Sequence, residues 1–122
     1  MANLSKILVV EDNPILMLDL CDQLETMGYE TVGAISAGTA ARLLDATFTA
    51  IITDIELGEG PDGIALARVA AAAHPHMPIV VVSGGVTPEP AQLPAHATFF
   101  QKPYRLEAVL DVLERARCSH AA

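Results

Sequence analysis

The 122-residue sequence has no tryptophan and only two cysteines, Cys21 and Cys118. Small domains that depend on disulfides carry many more cysteines, and thiolate metal sites need closely spaced pairs. The two cysteines lie far apart in the sequence and match neither pattern. We therefore expect free thiols and a fold stabilised by an apolar core.

Basic residues are also scarce. Seven Lys and Arg stand against fifteen Asp and Glu, which gives a net charge of -8. Nucleic-acid binding relies on clustered positive charge that neutralises phosphates, and the seven basic residues are scattered. We therefore do not expect this chain to bind nucleic acid, and any such output is expected on another chain.

Long apolar runs are missing as well. The longest, such as Ile79 to Val82, have the length of a strand and fall far short of the roughly 20 residues of a membrane span. No basic and apolar signal segment precedes Lys6, so we expect a cytoplasmic protein without a membrane anchor. With 52% hydrophobic and 18% charged residues, residues 1–122 are expected to form a single domain, with a core from about residue 6 to residue 117.

Five short apolar runs alternate with segments of helical character, an arrangement that indicates βα units and a parallel sheet. The predicted strands cover residues 6–10, 29–34, 50–54, 79–83 and 98–101. Four helices are predicted after Asp12 or Asn13 up to Gly28, from about Thr39 to Asp45, from Ile64 to Ala73, and from Tyr104 to Arg117.

A fifth helix, between residues 86 and 97, is expected to be short or irregular. This segment contains Pro88, Pro90 and Pro94, and each proline removes a backbone donor. The pair Asp62-Gly63 is expected to form the turn before the third helix.

Chemically active side chains stand at the ends of four predicted strands. Glu11 and Asp12 end the first, Asp54 ends the third, Ser83 ends the fourth, and Lys102 follows the fifth. Because the carboxyl ends of parallel strands meet at one edge of a sheet, we expect the three carboxylates to converge. Their repulsion would then raise a pKa or require a cation.

This order of acidic pair, lone Asp, Ser and Lys-Pro resembles the receiver domain of two-component response regulators, the CheY-like family, from Lys6 to about Arg117. The resemblance implies a doubly wound, flavodoxin-like sheet of five parallel strands in the order 2-1-3-4-5. It also implies a phosphorylation-dependent switch or phosphoryl shuttle with only weak self-catalysed phosphorylation and dephosphorylation, and not an enzyme. The implied partners are a histidine kinase or histidine phosphotransfer protein and a downstream protein target. The chain itself is expected to be a monomer or weak dimer.

The resemblance also implies a metal site and a phosphoacceptor. Asp54 would accept the phosphoryl group as an acyl phosphate. Asp12 and Asp54, together with the backbone carbonyl of Glu56, would hold Mg²⁺ or Mn²⁺, with Glu11 acting through water. The side chain of Glu56 is expected to tune the lifetime of the phosphoryl group.

The remaining implied roles concern the response to phosphorylation. Lys102 would pair with Asp54 and then with a phosphoryl oxygen. Its peptide bond to Pro103 is cis in the family. Ser83 would donate its hydroxyl to the phosphoryl group, and Phe99 matches the aromatic switch residue.

Other interpretations stay open at this point. Each site residue alone is also common in turns, and His74 and His76 are expected to be surface residues without a metal. The chain could be a pseudo-receiver that binds partners without phosphorylation, or an aspartyl phosphohydrolase, which Asp54-Ile55-Glu56 suggests although that class usually carries Asp-x-Asp after its first strand. It could also be a piece of a larger regulator or hybrid kinase, although residues 115–122 look like a natural end.

Overall fold

The computed structural model describes residues 5–121, and side chains up to residue 116. Five strands and four α-helices alternate along this part of the chain. The strands are β1 (Lys6–Val10), β2 (Glu30–Ala34), β3 (Ala50–Asp54), β4 (Ile79–Ser83) and β5 (Ala97–Gln101). The helices are α1 (Pro14–Thr26), α2 (Ala37–Leu43), α3 (Gly63–Ala73) and α4 (Leu106–Ala121). No helix among the described residues is both long enough and apolar enough to cross a membrane.

All strand pairs are parallel, and the sheet order is β2-β1-β3-β4-β5. This order confirms the predicted 2-1-3-4-5 arrangement. In the register, Val10 of β1 pairs with Thr53 of β3. Glu11 and Asp54, each one residue further along, therefore lie side by side at the carboxyl ends of β1 and β3.

Both faces of the sheet are covered by helices. All five residues of β3 and all five of β4 are buried, as expected for central strands of a doubly wound sheet. One face packs Leu8, Val10, Ile51 and Val81 against the side of α2 and α3. The other packs Ile7, Val9, Ile52 and Val80 against α1 and α4. Cys21, on this second face, is a buried free thiol, whereas the side chain of Cys118 lies outside those described.

Side-chain caps set the start of the first two helices. The Asn13 side chain accepts hydrogen bonds from the amides of Ile15 and Leu16, so Asn13 is the cap of α1, and not Asp12. The helix α2 begins at Ala37, two residues before the predicted start, because the Ser36 hydroxyl accepts a bond from the Thr39 amide at 3.1 Å. The polar cap at Ser36 therefore starts this helix before Thr39, the predicted first residue.

The segment between β4 and β5 forms no α-helix. It contains one 3₁₀ turn, Pro90–Gln92, so the expectation of a short or irregular element is confirmed, and the described chain has four α-helices instead of five. The turn is closed by the Glu89 amide, which donates to Gln92 Oε1 at 2.8 Å. Arg68 Nε on α3 donates to the Gln92 carbonyl at 3.0 Å, which ties the turn to the body of the domain.

Candidate functional site

The carboxyl ends of β1, β3 and β5 bring Glu11, Asp54 and Lys102 together. Lys102 Nζ lies 3.1 Å from Glu11 Oε1 and 3.1 Å from Asp54 Oδ2. The Lys102 amide also donates to the Ser83 carbonyl at 2.8 Å, which fixes the backbone at the end of β5. The peptide bond between Lys102 and Pro103 is cis. One ammonium therefore bridges two carboxylates that come from neighbouring strands.

The second oxygen of Asp54 has no such partner. Asp54 Oδ1 is the one buried side-chain oxygen or nitrogen, within the described part of the chain, that has no hydrogen-bond partner. Leaving a buried acceptor unsatisfied costs free energy. Glu11, Asp12 and Asp54 each offer one carboxylate oxygen, and these oxygens all lie within 4.8 Å of one another. An all-oxygen donor set with an unpaired buried oxygen fits a hard divalent cation such as Mg²⁺.

The electrostatics of the site also indicate a shortage of positive charge. Burial raises the pKa of Asp54 to about 7, with Lys102 acting in the opposite direction and Glu11 adding to the rise. Burial also opposes ionisation of Glu11, but the Asn13 amide and Lys102 together hold the pKa of Glu11 below its ordinary value. Desolvation and the neighbouring Glu11 raise the pKa of Asp12. One ammonium therefore does not neutralise the three carboxylates.

A cavity of about 570 Å³ opens beside these groups, between α1 and the segment that follows β5. Its lining includes Glu11, Leu16, Leu20, Asp54, Lys102 and Tyr104. The Asp54 side chain is only 7% exposed, and this cavity lies next to it.

Ser83 ends β4 at the same edge of the sheet and is fully buried. Its hydroxyl donates to Glu56 Oε2 at 2.7 Å, and this bond lowers the pKa of Glu56 below its ordinary value. Ser83 Oγ in turn accepts bonds from the amides of Gly85 and Val86, at 3.2 and 2.8 Å. The predicted phosphoryl-binding hydroxyl is thus present at the site, but it is bound to the Glu56 carboxylate, a contact that the strand-end pattern did not predict.

The other predicted residues lie further from Asp54. Phe99 stands on β5 opposite Val81 and is half-buried against the core on the side of α2 and α3. His74 caps the end of α3. Among the described residues, Glu11, Asp12 and Asp54 form the one group of three or more potential metal ligands, so neither His74 nor His76 joins such a group.

Comparison with known proteins gives a consistent result. The sequence model of the response regulator receiver domain matches residues 7–114. A response regulator receiver protein of Anaeromyxobacter sp. (strain Fw109-5) is 32% identical over 106 residues, which cover 87% of this chain and 43% of that protein. The response regulator protein FleR of Pseudomonas aeruginosa is 31% identical over 115 residues, which cover 91% of this chain and 24% of FleR. The chain thus spans less than half the length of these curated relatives.

Solved structures share the fold. A response regulator receiver protein from Sinorhizobium medicae WSM419 superposes with a TM-score of 0.85 at 29% identity, covering 93% of this chain and 94% of that one. A CheY-like receiver domain protein from Methanospirillum hungatei JF-1 gives a TM-score of 0.80 at 29% identity, covering 96% and 99% of the two chains.

Proposed function

Since this chain belongs to the response regulator receiver family, the signalling domains of two-component systems, we propose that Asp54 accepts a phosphoryl group from a partner protein. The observation that carries the proposal is the state of the Asp54 carboxylate. One of its oxygens is bound by Lys102 Nζ at 3.1 Å, and the other is buried without a hydrogen-bond partner. Asp54 therefore has an ammonium group on one oxygen and a buried, unpaired second oxygen. The site needs a further positive charge, which a bound cation would supply.

The reaction follows from the positions of these groups. A carboxylate oxygen of Asp54 attacks the phosphorus of a phosphohistidine, the phosphorus–nitrogen bond breaks, and the leaving imidazole nitrogen keeps the electron pair and takes up a proton. Asp54 becomes an acyl phosphate. Lys102, already within hydrogen-bond distance of Asp54, stabilises the negative charge on the transferred group.

The carboxylates of Asp12 and Asp54, with Glu11 through water and the backbone carbonyl of Glu56, are the groups that would hold Mg²⁺ or Mn²⁺. A bound divalent cation supplies the positive charge that phosphoryl transfer requires. The cluster of the three carboxylates supports this assignment. On release from Glu56, the Ser83 hydroxyl would bind a phosphoryl oxygen. The ring of Phe99 on β5 would then turn inward.

The donor is a histidine kinase or a histidine phosphotransfer protein, whose histidine would reach Asp54 through the adjacent cavity. We further propose that residues 1–122 fold as one receiver domain that acts in the cytoplasm on a downstream protein target. It turns over its own phosphoryl group only weakly. The convergence of Lys102 on Glu11 and Asp54 favours this function over an interaction module that is never phosphorylated, because that geometry has a clear use in phosphoryl transfer.

The test is incubation with acetyl phosphate and Mg²⁺, followed by intact mass measurement. The wild-type chain should gain the mass of one phosphoryl group, Asp54→Asn should gain none, and Asp22→Asn, which alters an exposed carboxylate on α1, should behave as wild type. Equal labelling of wild type and Asp54→Asn would overturn the assignment.

A further inference from the structure

The hydrogen bond between Ser83 and Glu56 occupies the one proton that the Ser83 hydroxyl can donate. The donor distance to Glu56 Oε2 is 2.7 Å, and the amides of Gly85 and Val86 donate to the same Oγ. A hydroxyl has one donor and two acceptor positions, so Ser83 has no free proton for another acceptor. Ser83 must release Glu56 before it binds a phosphoryl oxygen.

Glu56 also lies next to the glycine turn that follows β4. A Cβ atom placed on Gly85 would lie 3.5 Å from Glu56 Oε2, an ordinary van der Waals distance, so the carboxylate lies beside this turn without filling it. The same turn donates its Gly85 and Val86 amides to Ser83 Oγ. The carboxylate, the hydroxyl and the turn therefore form one hydrogen-bonded unit, which joins the loop after β3 to the loop after β4.

We propose that Glu56 is a positioning residue that competes with the phosphoryl group for the Ser83 hydroxyl. The inference rests on the proposed phosphoacceptor function. It adds that Glu56 works against the phosphorylated state of the domain. In the unphosphorylated chain the Glu56 carboxylate keeps the Ser83 hydroxyl and the Gly85–Val86 turn in the resting arrangement. On phosphorylation the Ser83 proton stays on Oγ, and only its acceptor changes, from Glu56 to a phosphoryl oxygen.

The competition has a measurable consequence at equilibrium. Beryllium fluoride with Mg²⁺ imitates a phosphoryl group on a carboxylate, so its affinity reports the balance between the two acceptors. Glu56→Ala should bind beryllium fluoride about five-fold more tightly than wild type, the size expected when one competing hydrogen bond is lost. Glu56→Gln, which keeps a neutral acceptor, should fall between them. Glu59→Ala removes the same charge from an exposed position in the same loop and should match wild type.

A double-mutant cycle separates competition from simple charge removal. In a Ser83→Ala background, Glu56→Ala should no longer change the beryllium fluoride affinity, whereas in a Ser83→Thr background, which keeps the hydroxyl, the gain should return. A gain of equal size in the Ser83→Ala background would mean that Glu56 acts only through its charge, and the proposal would be wrong.

Hydrogen exchange of the apo proteins provides a second measurement that does not depend on phosphorylation. The Val86 amide should exchange faster in Glu56→Ala than in Glu59→Ala, because Ser83 Oγ is no longer held in place. Equal exchange in both variants would overturn the proposal even if the wild type is phosphorylated. If the wild type neither gains a phosphoryl group nor binds beryllium fluoride, the phosphoacceptor function itself is wrong. In that case there is no phosphoryl group with which Glu56 could compete, and the proposal is wrong as well.

Discussion

The backbone of Gly63 lies directly against the carbonyl oxygen of Asp54. A Cβ atom at position 63 would come within 1.9 Å of that oxygen and 3.0 Å of Ile55 Cα, and the Gly63 amide donates to the Ile55 carbonyl at 2.9 Å. The first residue of α3 therefore sits on the backbone of the proposed phosphoacceptor. A side chain of any size at position 63 would push against the end of β3.

From this contact we predict that Gly63→Ala destabilises the domain by about 1 to 3 kcal/mol, since added atoms in a packed region force the backbone to shift. It should also slow labelling by acetyl phosphate, because the end of β3 moves with Asp54. Urea denaturation and intact mass measure the two effects. Gly38→Ala is the matched control: its Cβ would meet only Arg42 Nη1, at 3.9 Å, and alanine in α2 should stabilise the helix by up to about 1 kcal/mol. Equal effects from the two substitutions would contradict the steric account.

The metal site leads to a second prediction. Asp12 is exposed, so Asp12→Ala should leave the fold intact while removing one of the three clustered carboxylates. In the wild type, Mg²⁺ should raise the thermal midpoint, because a ligand that binds only the folded state stabilises it. Asp12→Ala should lose this increase and its labelling by acetyl phosphate, whereas Asp22→Ala should keep both. Undiminished Mg²⁺ stabilisation of Asp12→Ala would rule out Asp12 as a ligand.

The third prediction concerns pH. Burial raises the pKa of Asp54 from 3.8 to about 7 in the folded chain, so between these values the folded state binds a proton that the unfolded state has released. This contribution to stability is complete below about pH 4 and is lost as pH rises towards 7. Without divalent cations, the free energy of unfolding should therefore fall between pH 5 and pH 8, by about 1 to 3 kcal/mol for this group.

Urea denaturation in EDTA at the two pH values measures the fall. Glu11 has a pKa below its ordinary value of 4.5, so its contribution to stability, which has the opposite sense, changes below this pH range. The comparison with Asp54→Asn tests the contribution of Asp54 itself. The variant should gain stability relative to wild type as pH rises. Parallel pH profiles of the two proteins would show that Asp54 does not titrate in this range.

A fourth prediction concerns residues 86–97. Backbone hydrogen bonds in this segment close short turns and do not form an α-helix. For example, the Leu93 amide donates to the Pro90 carbonyl at 3.2 Å. Except for Val86, whose amide donates to Ser83 Oγ, amides in this segment should exchange fast in the apo protein and slow down on acyl phosphate formation or beryllium fluoride binding. Amides of β4 should be protected in both states. Strong protection across the whole segment without phosphate would contradict this expectation.

Much of this architecture is predictable from the sequence because its causes are local. Apolar runs with turn residues between them define the strands, and the polar residue that follows each run reaches the edge at which parallel strands end. In this way Glu11, Asp12 and Asp54 were expected to converge, and one carboxylate oxygen of each lies within 4.8 Å of the others. The three prolines likewise indicated the missing helix, because each lacks an amide donor.

The contacts that were not predicted depend on tertiary packing. Asp62-Gly63 was expected to form a turn before the third helix, and Asp62 indeed caps α3 through the Ala65 amide, but no local pattern places Gly63 on the Asp54 carbonyl. Glu56 is an exposed residue of the loop after β3, and no local sequence pattern indicates that the fold brings its carboxylate to Ser83. The one sequence feature that could have indicated the contact between Gly63 and the Asp54 carbonyl is a glycine directly after an aspartate that caps a helix.

The central claim is that the chain carries its phosphoryl group as an acyl phosphate on Asp54. Reduction with borohydride converts an aspartyl phosphate into homoserine, so peptide mass mapping after treatment with acetyl phosphate and Mg²⁺ identifies the modified position. We predict homoserine at position 54 in the wild type, and none when Mg²⁺ is replaced by EDTA. Homoserine at another aspartate, or a phosphoryl group that resists borohydride and is found on a histidine or serine, would contradict the account.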